Sequence, residues 1–497
     1  MKLHSRPLLT AIPALFAAGT ALADVSAKDV WESYKAQLEM GGATVTATET
    51  QSGDTLTVTD LTVTTPASDV NFKMTMPEIA FREVGDGTVE LILDPNYPMD
   101  VTASGVEGMF SAQVLMTSEG LSMTASGDPG DIKYDYSAAQ LTVGIAGASQ
   151  DGKDLPFSAS FSMTDSSGSW TVDSTNGTAF VADMIAASMD FVVEASNPES
   201  SGETLKLTGT AQDIKIVEEG VFPSGADMQN LSAAIAAGFD FSGNFTTGAA
   251  DYVLDVTGPD VVSGHFKAAT SAFGFDISGS GLSYQTAATG LDFALSGSAA
   301  MPPIAGKLDE YALGLTMPAV KSDEPQDLSL LVKLVGLTVG EEIWGMFDPG
   351  KVLPRDPATL VLDLSGKGKL TTDIFDPTPV EVAQGYPVEM ESLDINEVHV
   401  AAAGLDVSGT GALTFDNSGT GMGMPPMPIG KVDLVAIGVN GFLDNLVAMG
   451  FVTQEDLFPA KMMIGMYAKP GSAPDSLETT VEMTPGGGLT VNGMPLQ

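Results

Sequence analysis

Cysteine is absent from all 497 residues. That removes disulfides, thiolate nucleophiles and cysteine-held metal clusters together. Histidine is nearly absent too: only three occur in the chain. Past the N-terminus these are His265 and His399, each on a strand-like stretch. A metal pair or a general base would need a partner of similar chemistry close by, and neither histidine has one in sequence, so a satisfied strand histidine is the plainer reading. Positive charge is scarce, with 21 Lys and Arg against 64 Asp and Glu and a net charge of −43. Such a surface repels nucleic acid and anionic head groups. There is no Gly-x-Ser-x-Gly or Ser-x-x-Lys, and no Gly-Lys pair is followed by Ser or Thr, so a serine-hydrolase elbow and a phosphate loop are both excluded. Beyond the first residues no long apolar run exists; Lys333 interrupts the best candidate, Leu328 to Val339. No catalytic residue, metal or cofactor follows from this inventory, and the expectation is a non-enzymatic protein.

The N-terminus carries an address. Lys2 and Arg6 precede an apolar Leu8–Ala18 stretch, then Ala21-Leu22-Ala23. That is the pattern of a cleaved signal peptide over 1–23, with Asp24 opening the mature chain in the periplasm. Residues 26–40 are expected to form a helix on the stripe Val30, Trp31, Tyr34 and Leu38. The period then shortens to two. Val70-Phe72-Met74-Met76, Leu141-Val143-Ile145 and Phe157-Ala159-Phe161-Met163 alternate with polar residues, and Gly and Asp punctuate the gaps. Clean alternation predicts half-buried antiparallel strands. Further helices are expected at 179–187, 227–237, 440–449 and 453–466. The fold class expected is mainly β: long antiparallel sheets, curved or sandwich-like, with a few short helices.

Two blocks echo each other. Gly336 to Trp344 lines up with Gly450 to Phe458. Gly274 to Gly281 lines up with Gly404 to Gly411, and Gly306-Lys307-Leu308-Asp309 with Gly430-Lys431-Val432-Asp433. A period of about 120 residues suits a duplicated β-helix-β subdomain. The division expected is a β-rich region over 24–265, a first copy over 266–396 and a second over 397–497. In both copies an acidic pair, Glu341-Glu342 or Glu455-Asp456, would occupy the first turn of a helix, where its dipole favours negative charge. Arg355, one of two arginines outside the leader, is expected to pair with a local carboxylate and fix the turn around Pro354.

The run Phe347-Asp348-Pro349, Leu353 to Thr359 and Leu362-Asp363-Leu364-Ser365-Gly366, with the closing Val491-Asn492-Gly493-x-Pro495-Leu496, resembles the domain of unknown function 2125 family of secreted Gram-negative bacterial proteins. The Val30-Trp31 start and the Asp54-Thr55-Leu56 hairpin fit it as well, so the resemblance extends along the mature chain. It implies an envelope location and transfers no catalytic residue. Within that frame the expected function is binding or carrying lipid or another apolar ligand, with a further envelope protein as a conceivable partner. The rows Phe273, Phe275, Ile277 and Leu291, Phe293, Leu295 are the candidate lining, bordered by Met462, Met463 and Met466 on the last helix. The rivals are a structural protein with a solid β core and no ligand, and an outer-membrane β-barrel. Against the barrel stand an aromatic content of 7 % and interrupting helices.

Overall fold

The computed structural model describes residues 24–39, 42–66, 70–105, 108–175, 177–197, 202–226, 230–258, 261–297, 303–375, 388–419 and 425–496. The expected leader, the Asp227 cap and Met422 and Met424 lie outside them. After α1 (Ala27–Glu39) come β1 (Thr44–Ser52), β2 (Thr55–Pro66), β3 (Val70–Met76), β4 (Ile79–Glu83), β5 (Val89–Leu93), β6 (Asn96–Gly105), β7 (Gly108–Glu119) and β8 (Ser122–Asp128). The middle holds β9 (Asp131–Gln150), β10 (Lys153–Leu155), β11 (Phe157–Asp173), β12 (Thr178–Ser196), β13 (Thr204–Phe222) and α2 (Leu231–Ala236). It continues with β14 (Asp240–Thr247), β15 (Ala250–Thr257), β16 (Val262–Ala268), β17 (Thr270–Ser278) and β18 (Gly281–Ser296). Next are β19 (Ile304–Met317), β20 (Gln326–Val339), α3 (Glu341–Phe347), β21 (Ala358–Leu370), β22 (Val388–Ala402), β23 (Leu405–Asp416) and β24 (Met427–Ile437). The chain closes with α4 (Val439–Ala448), α5 (Gln454–Tyr467), β25 (Lys469–Pro470), β26 (Ser476–Thr484), β27 (Gly488–Val491) and β28 (Met494–Leu496).

The protein is mainly β, as its alternation requires. All strands join one antiparallel sheet built mostly as a meander. Where strands are short, two of them share one row: β3 and β4 both pair with β2, β7 and β8 with β9, β14 and β15 with β13. At the margins β1 pairs with β2 and β28 with β27. Among the described residues the sheet therefore stays open, and no second sheet packs over it.

The long strands do not run straight. Asp60, Asp165 and Asp213 sit in mid-strand with φ of 55°, 47° and 51°, and Gly290 and Gly336 with 59° and 73°. Left-handed backbone interrupts the two-residue alternation, and Asp and Gly are the residues that tolerate it best. Accordingly the inward set changes parity there. In β11 it passes from Ala159, Phe161 and Met163 to Trp170 and Val172; in β13 from Leu205 and Leu207 to Ile214 and Ile216. These sites mark a crease in the strands that carry them. Two clusters bridge it: Ala186, Ala211, Ile214 and Ala250 with Met163 and Phe245, and Ala268, Leu291 and Leu308 with Tyr311 and Leu334.

At one end α1 closes the inner side. Ser26 and Asp29 cap it reciprocally, Ser26 N–H to Asp29 Oδ2 at 3.0 Å and Asp29 N–H to Ser26 Oγ at 3.2 Å. Its stripe buries Val30 and Trp31 against Phe81, Ile79, Ile132 and Tyr134. Trp31 Nε1 donates to Glu49 Oε1 at 2.8 Å, so its one polar atom is satisfied.

Three expectations change. The segment 179–187 is part of β12, where Phe180, Ala182, Met184 and Ala186 alternate between two partner strands; pairing on both sides outweighs any local helical tendency. The echo blocks differ in local placement: Gly274–Ser278 ends β17 before a turn, whereas Gly404 is in a turn and β23 follows. The helix expected at 227–237 is one short element, α2, with Asn230 as its cap.

Candidate functional site

The crease leaves an apolar trough along the inner face of the sheet. On one wall Met116, Val143, Phe161, Phe191, Gly209, Tyr252, Phe266 and Phe293 stand opposite one another across consecutive rows. Ring centroids are 5.9 Å apart for Phe161–Phe191, 5.8 Å for Phe191–Tyr252 and 6.0 Å for Tyr252–Phe266. Phe191 and Tyr252 can approach because the residue between them is Gly209, over which both rings lie; a Cβ there would collide with each. The other wall continues through Tyr284, Leu315, Leu330, Leu364, Ile395, Gly411, Val432 and Val481.

Floor and walls differ in exposure. Leu291, on the floor, is 8 % exposed, while Phe161 is 47 % and Phe273 38 % exposed. Three hollows lie along these strands, the largest of them taking in residues of both faces. The largest, of about 1060 Å³, has Val101, Ala112, Ala148, Leu155, Phe157 and Leu205 as its apolar lining, with Asp154, Glu194 and Lys206 among its polar residues. One of about 240 Å³ lies over Leu207, Leu254, Phe266, Phe293 and Leu295. One of about 270 Å³ lies over Leu315, Leu328, Leu330, Leu364 and Leu393. The opposite face is crossed by ion pairs such as Lys206–Glu194, Lys267–Asp251 and Lys333–Glu310 at 2.8, 2.7 and 2.7 Å, with Val181, Ile185, Val192, Val221, Val253 and Val435 among its exposed apolar residues.

The structure places Phe273, Phe275 and Ile277 on β17 against the part of β18 before Gly290, and Leu291, Phe293 and Leu295 past it on β18 against β16; Ile277 packs around Ala234, Ile235 and Phe239, Leu291 around Ala268 and Leu308. It does not bring Met462, Met463 and Met466 to them. These lie on α5, which packs beside α4, itself on β23, so that β18 to β22 intervene. The expectation that this helix borders the Phe273 and Leu291 rows is corrected on that ground. Phe161, Phe157, Leu205 and Phe266 were missed as lining. Their alternation was legible, but only the pairing register shows that they form one wall with Phe293.

Both histidines lie on the ion-paired face. His265 Nε2 is 3.4 Å from Asp292 Oδ1, and His399 Nε2 is 3.2 Å from Asp406 Oδ1. Among the described residues no three acids or histidines converge on a point where an ion would sit. No helix among them is long and apolar enough to cross a membrane.

Arg355 is a staple. Its guanidinium lies 4.1 Å from the centre of the Trp344 ring and donates from Nη1 to Asp348 Oδ2 at 2.5 Å and to the Leu353 carbonyl at 3.0 Å. Asp348 is 1 % exposed and accepts the Val352 and Leu353 N–H groups at 3.0 Å each. Burial pushes its carboxyl up, but the two backbone donors and Arg355 outweigh it and hold the group below the usual range. Glu341, at the start of α3, binds Lys351 at 3.0 Å, and Lys351 holds its carboxyl low. Glu455 and Asp456 likewise open α5, where Thr453 caps by accepting the Asp456 N–H at 3.2 Å. Phe458, the aromatic that ends the second echo block, is 69 % exposed.

With fold and trough in place, residues 251–496 match the family described as uncharacterized protein conserved in bacteria (DUF2125). The chain thus belongs to that family through its C-terminal half, which holds the second half of the trough, the Arg355 staple and α3 to α5. No curated protein matches the chain.

Proposed function

We propose that this chain is a non-enzymatic carrier of lipid or a similar long apolar ligand in the bacterial envelope, exported by cleavage after Ala23, with the ligand lying in the trough. One observation carries the reading: a continuous apolar inner face whose wall residues, Phe157, Phe161, Leu205, Phe266, Phe273, Tyr284 and Leu315 among them, stay more than a third open to solvent. Contiguous apolar surface of this kind generally marks a binding groove or interface. Length favours a chain-like ligand. From β9 to β24 the sheet crosses about a dozen strand spacings, or roughly 60 Å. Half of a ~30 Å hydrocarbon core is the span of one lipid tail, so several tails fit end to end. The acidic, ion-paired outer face keeps such a carrier dispersed.

The test is native mass spectrometry of protein purified from periplasm, followed by organic extraction. The expected result is an N-terminus of Asp24-Val25-Ser26 and a copurifying amphiphile that is lost from Phe161→Asp protein. A ligand-free chain that also fails to take up lipid from detergent micelles favours the rival of a structural protein.

A further inference from the structure

We infer that α5 docks on a lipid bilayer of net-neutral head groups and brings the trough to its surface, an inference that rests on the carrier reading above. The α5 helix is apolar on two sides. Leu457 is buried and Lys461 is held by Asp444 of α4 at 2.9 Å, which fixes one side against α4. The other side presents Phe458, Met462, Met463, Met466 and Tyr467, with Met462 and Met463 56 % and 58 % exposed. At 100° per residue these five span one half of the helix circumference. No charge interrupts that arc past the first turn; Glu455 and Asp456 are confined to the capped N-terminus. Phe451, just ahead of the cap, is exposed as well. Apolar side chains that point outward from a helix end can enter the bilayer interface.

Charge selects among occupants. A second copy would bring another −43 to the contact, and like-charged bodies repel. A basic protein would be drawn to the acidic outer face and not to an uncharged arc. A neutral bilayer carries neither penalty, and it is where a carrier's ligand resides. Position agrees: α4 packs on β23, and the α5 C-terminus is tied to the closing strands, with Thr479 Oγ1 and Asn492 Nδ2 donating to the Tyr467 carbonyl at 3.2 and 2.8 Å. The arc therefore sits at the end of the trough opposite α1.

The experiment is flotation of the full mature chain with phosphatidylcholine vesicles. Wild type should float, and less so when phosphatidylglycerol replaces phosphatidylcholine. The double variant Met462→Asp/Met466→Asp should lose binding by about tenfold or more, with an unchanged circular dichroism melt, because both positions are exposed. As a positive readout that needs no destabilising change, the indole introduced by Phe458→Trp should shift its emission to the blue on the vesicles and be quenched by brominated lipid. Equal flotation of wild type and the double variant, no flotation of wild type, or no quenching in the Phe458→Trp variant each overturns the inference. So does a wild-type dimer that the double variant splits, which would assign the arc to a second copy. The two readings fail separately. Wild type that retains extractable lipid but does not float keeps the carrier and loses the docking; Phe161→Asp protein that floats without ligand separates the trough from the arc.

Discussion

Replacing Phe161 by aspartate tests whether the trough wall is a binding surface or an incompletely packed core. The ring is 47 % exposed, so a carboxylate there reaches water in the unliganded protein and folding should survive. A ligand changes that balance. A phenylalanine side chain carries about 200 Å² of surface, which leaves roughly 90 Å² for an apolar ligand to cover, worth about 2 kcal/mol. That corresponds to about 30-fold in dissociation constant, and the carboxylate's own desolvation adds to it. The assay is titration with N-phenyl-1-naphthylamine, a neutral probe that brightens in apolar surroundings, beside a urea melt followed by circular dichroism. The internal control is Phe81→Ala. Phe81 is fully buried, with its ring centre 5.9 Å from that of Trp31, and its truncation should cost about 3–5 kcal/mol. The reasoning is refuted if Phe161→Asp lowers the melt as far as Phe81→Ala does, or if it leaves probe affinity within a factor of two. Phe293→Asp, on the same wall but less open, should lose affinity and some stability together.

Gly209→Ala should destabilise by about 1–3 kcal/mol, because its methyl displaces both the Phe191 and Tyr252 rings; a urea midpoint equal to wild type would mean that the rings do not cover the strand. Arg355→Ala should destabilise the protein most near neutral pH and less in acid. Asp348 has a carboxyl held low in the folded state, so its contribution is complete above the ordinary aspartate range and is lost as pH falls through the lowered value. Without Arg355 the carboxyl is held less low and contributes less above the carboxylate range, so melts between about pH 5 and pH 2 should show the gap between variant and wild type widest at the upper end and closing as pH falls.

Much of the fold was legible because alternation is a local signal. The hairpin across Ser52-Gly53-Asp54, the α1 stripe, the Thr453 cap and the closing hairpin after Met483 all follow from residues within a few positions of one another. The Arg355–Asp348 pair was legible in the same way, seven residues apart. What stayed hidden depends on pairing. Whether the sheets stack or continue as one is decided by which edges meet, and that leaves no mark on a single strand. Segment 179–187 looked helical since small and apolar residues sit there on both sides of the alternation. The crease did leave a mark: in β13 the apolar set shifts phase at Asp213, between Leu207 and Ile214. A phase shift at a mid-strand Asp or Gly, repeated from strand to strand, is the signal that would have located the trough floor. The Met462–Met466 arc was found as a sequence feature but placed beside the wrong rows, because helix position along the sheet is a tertiary fact.

One consequence of the single meander concerns size. Each row touches chiefly the rows on either side of it, so the molecule is in effect a one-dimensional stack whose stability is a sum over neighbouring strand interfaces. Such a body has no privileged length. Inserting or deleting a hairpin in the middle rows would lengthen or shorten the channel by about two strand spacings, ~10 Å, and leave the cross-section and both ends as they are. It also need not melt as a unit. The densely buried α1 end and the open middle rows would come apart at different denaturant concentrations, so that distance along the stack, read by hydrogen exchange, becomes a coordinate of local stability.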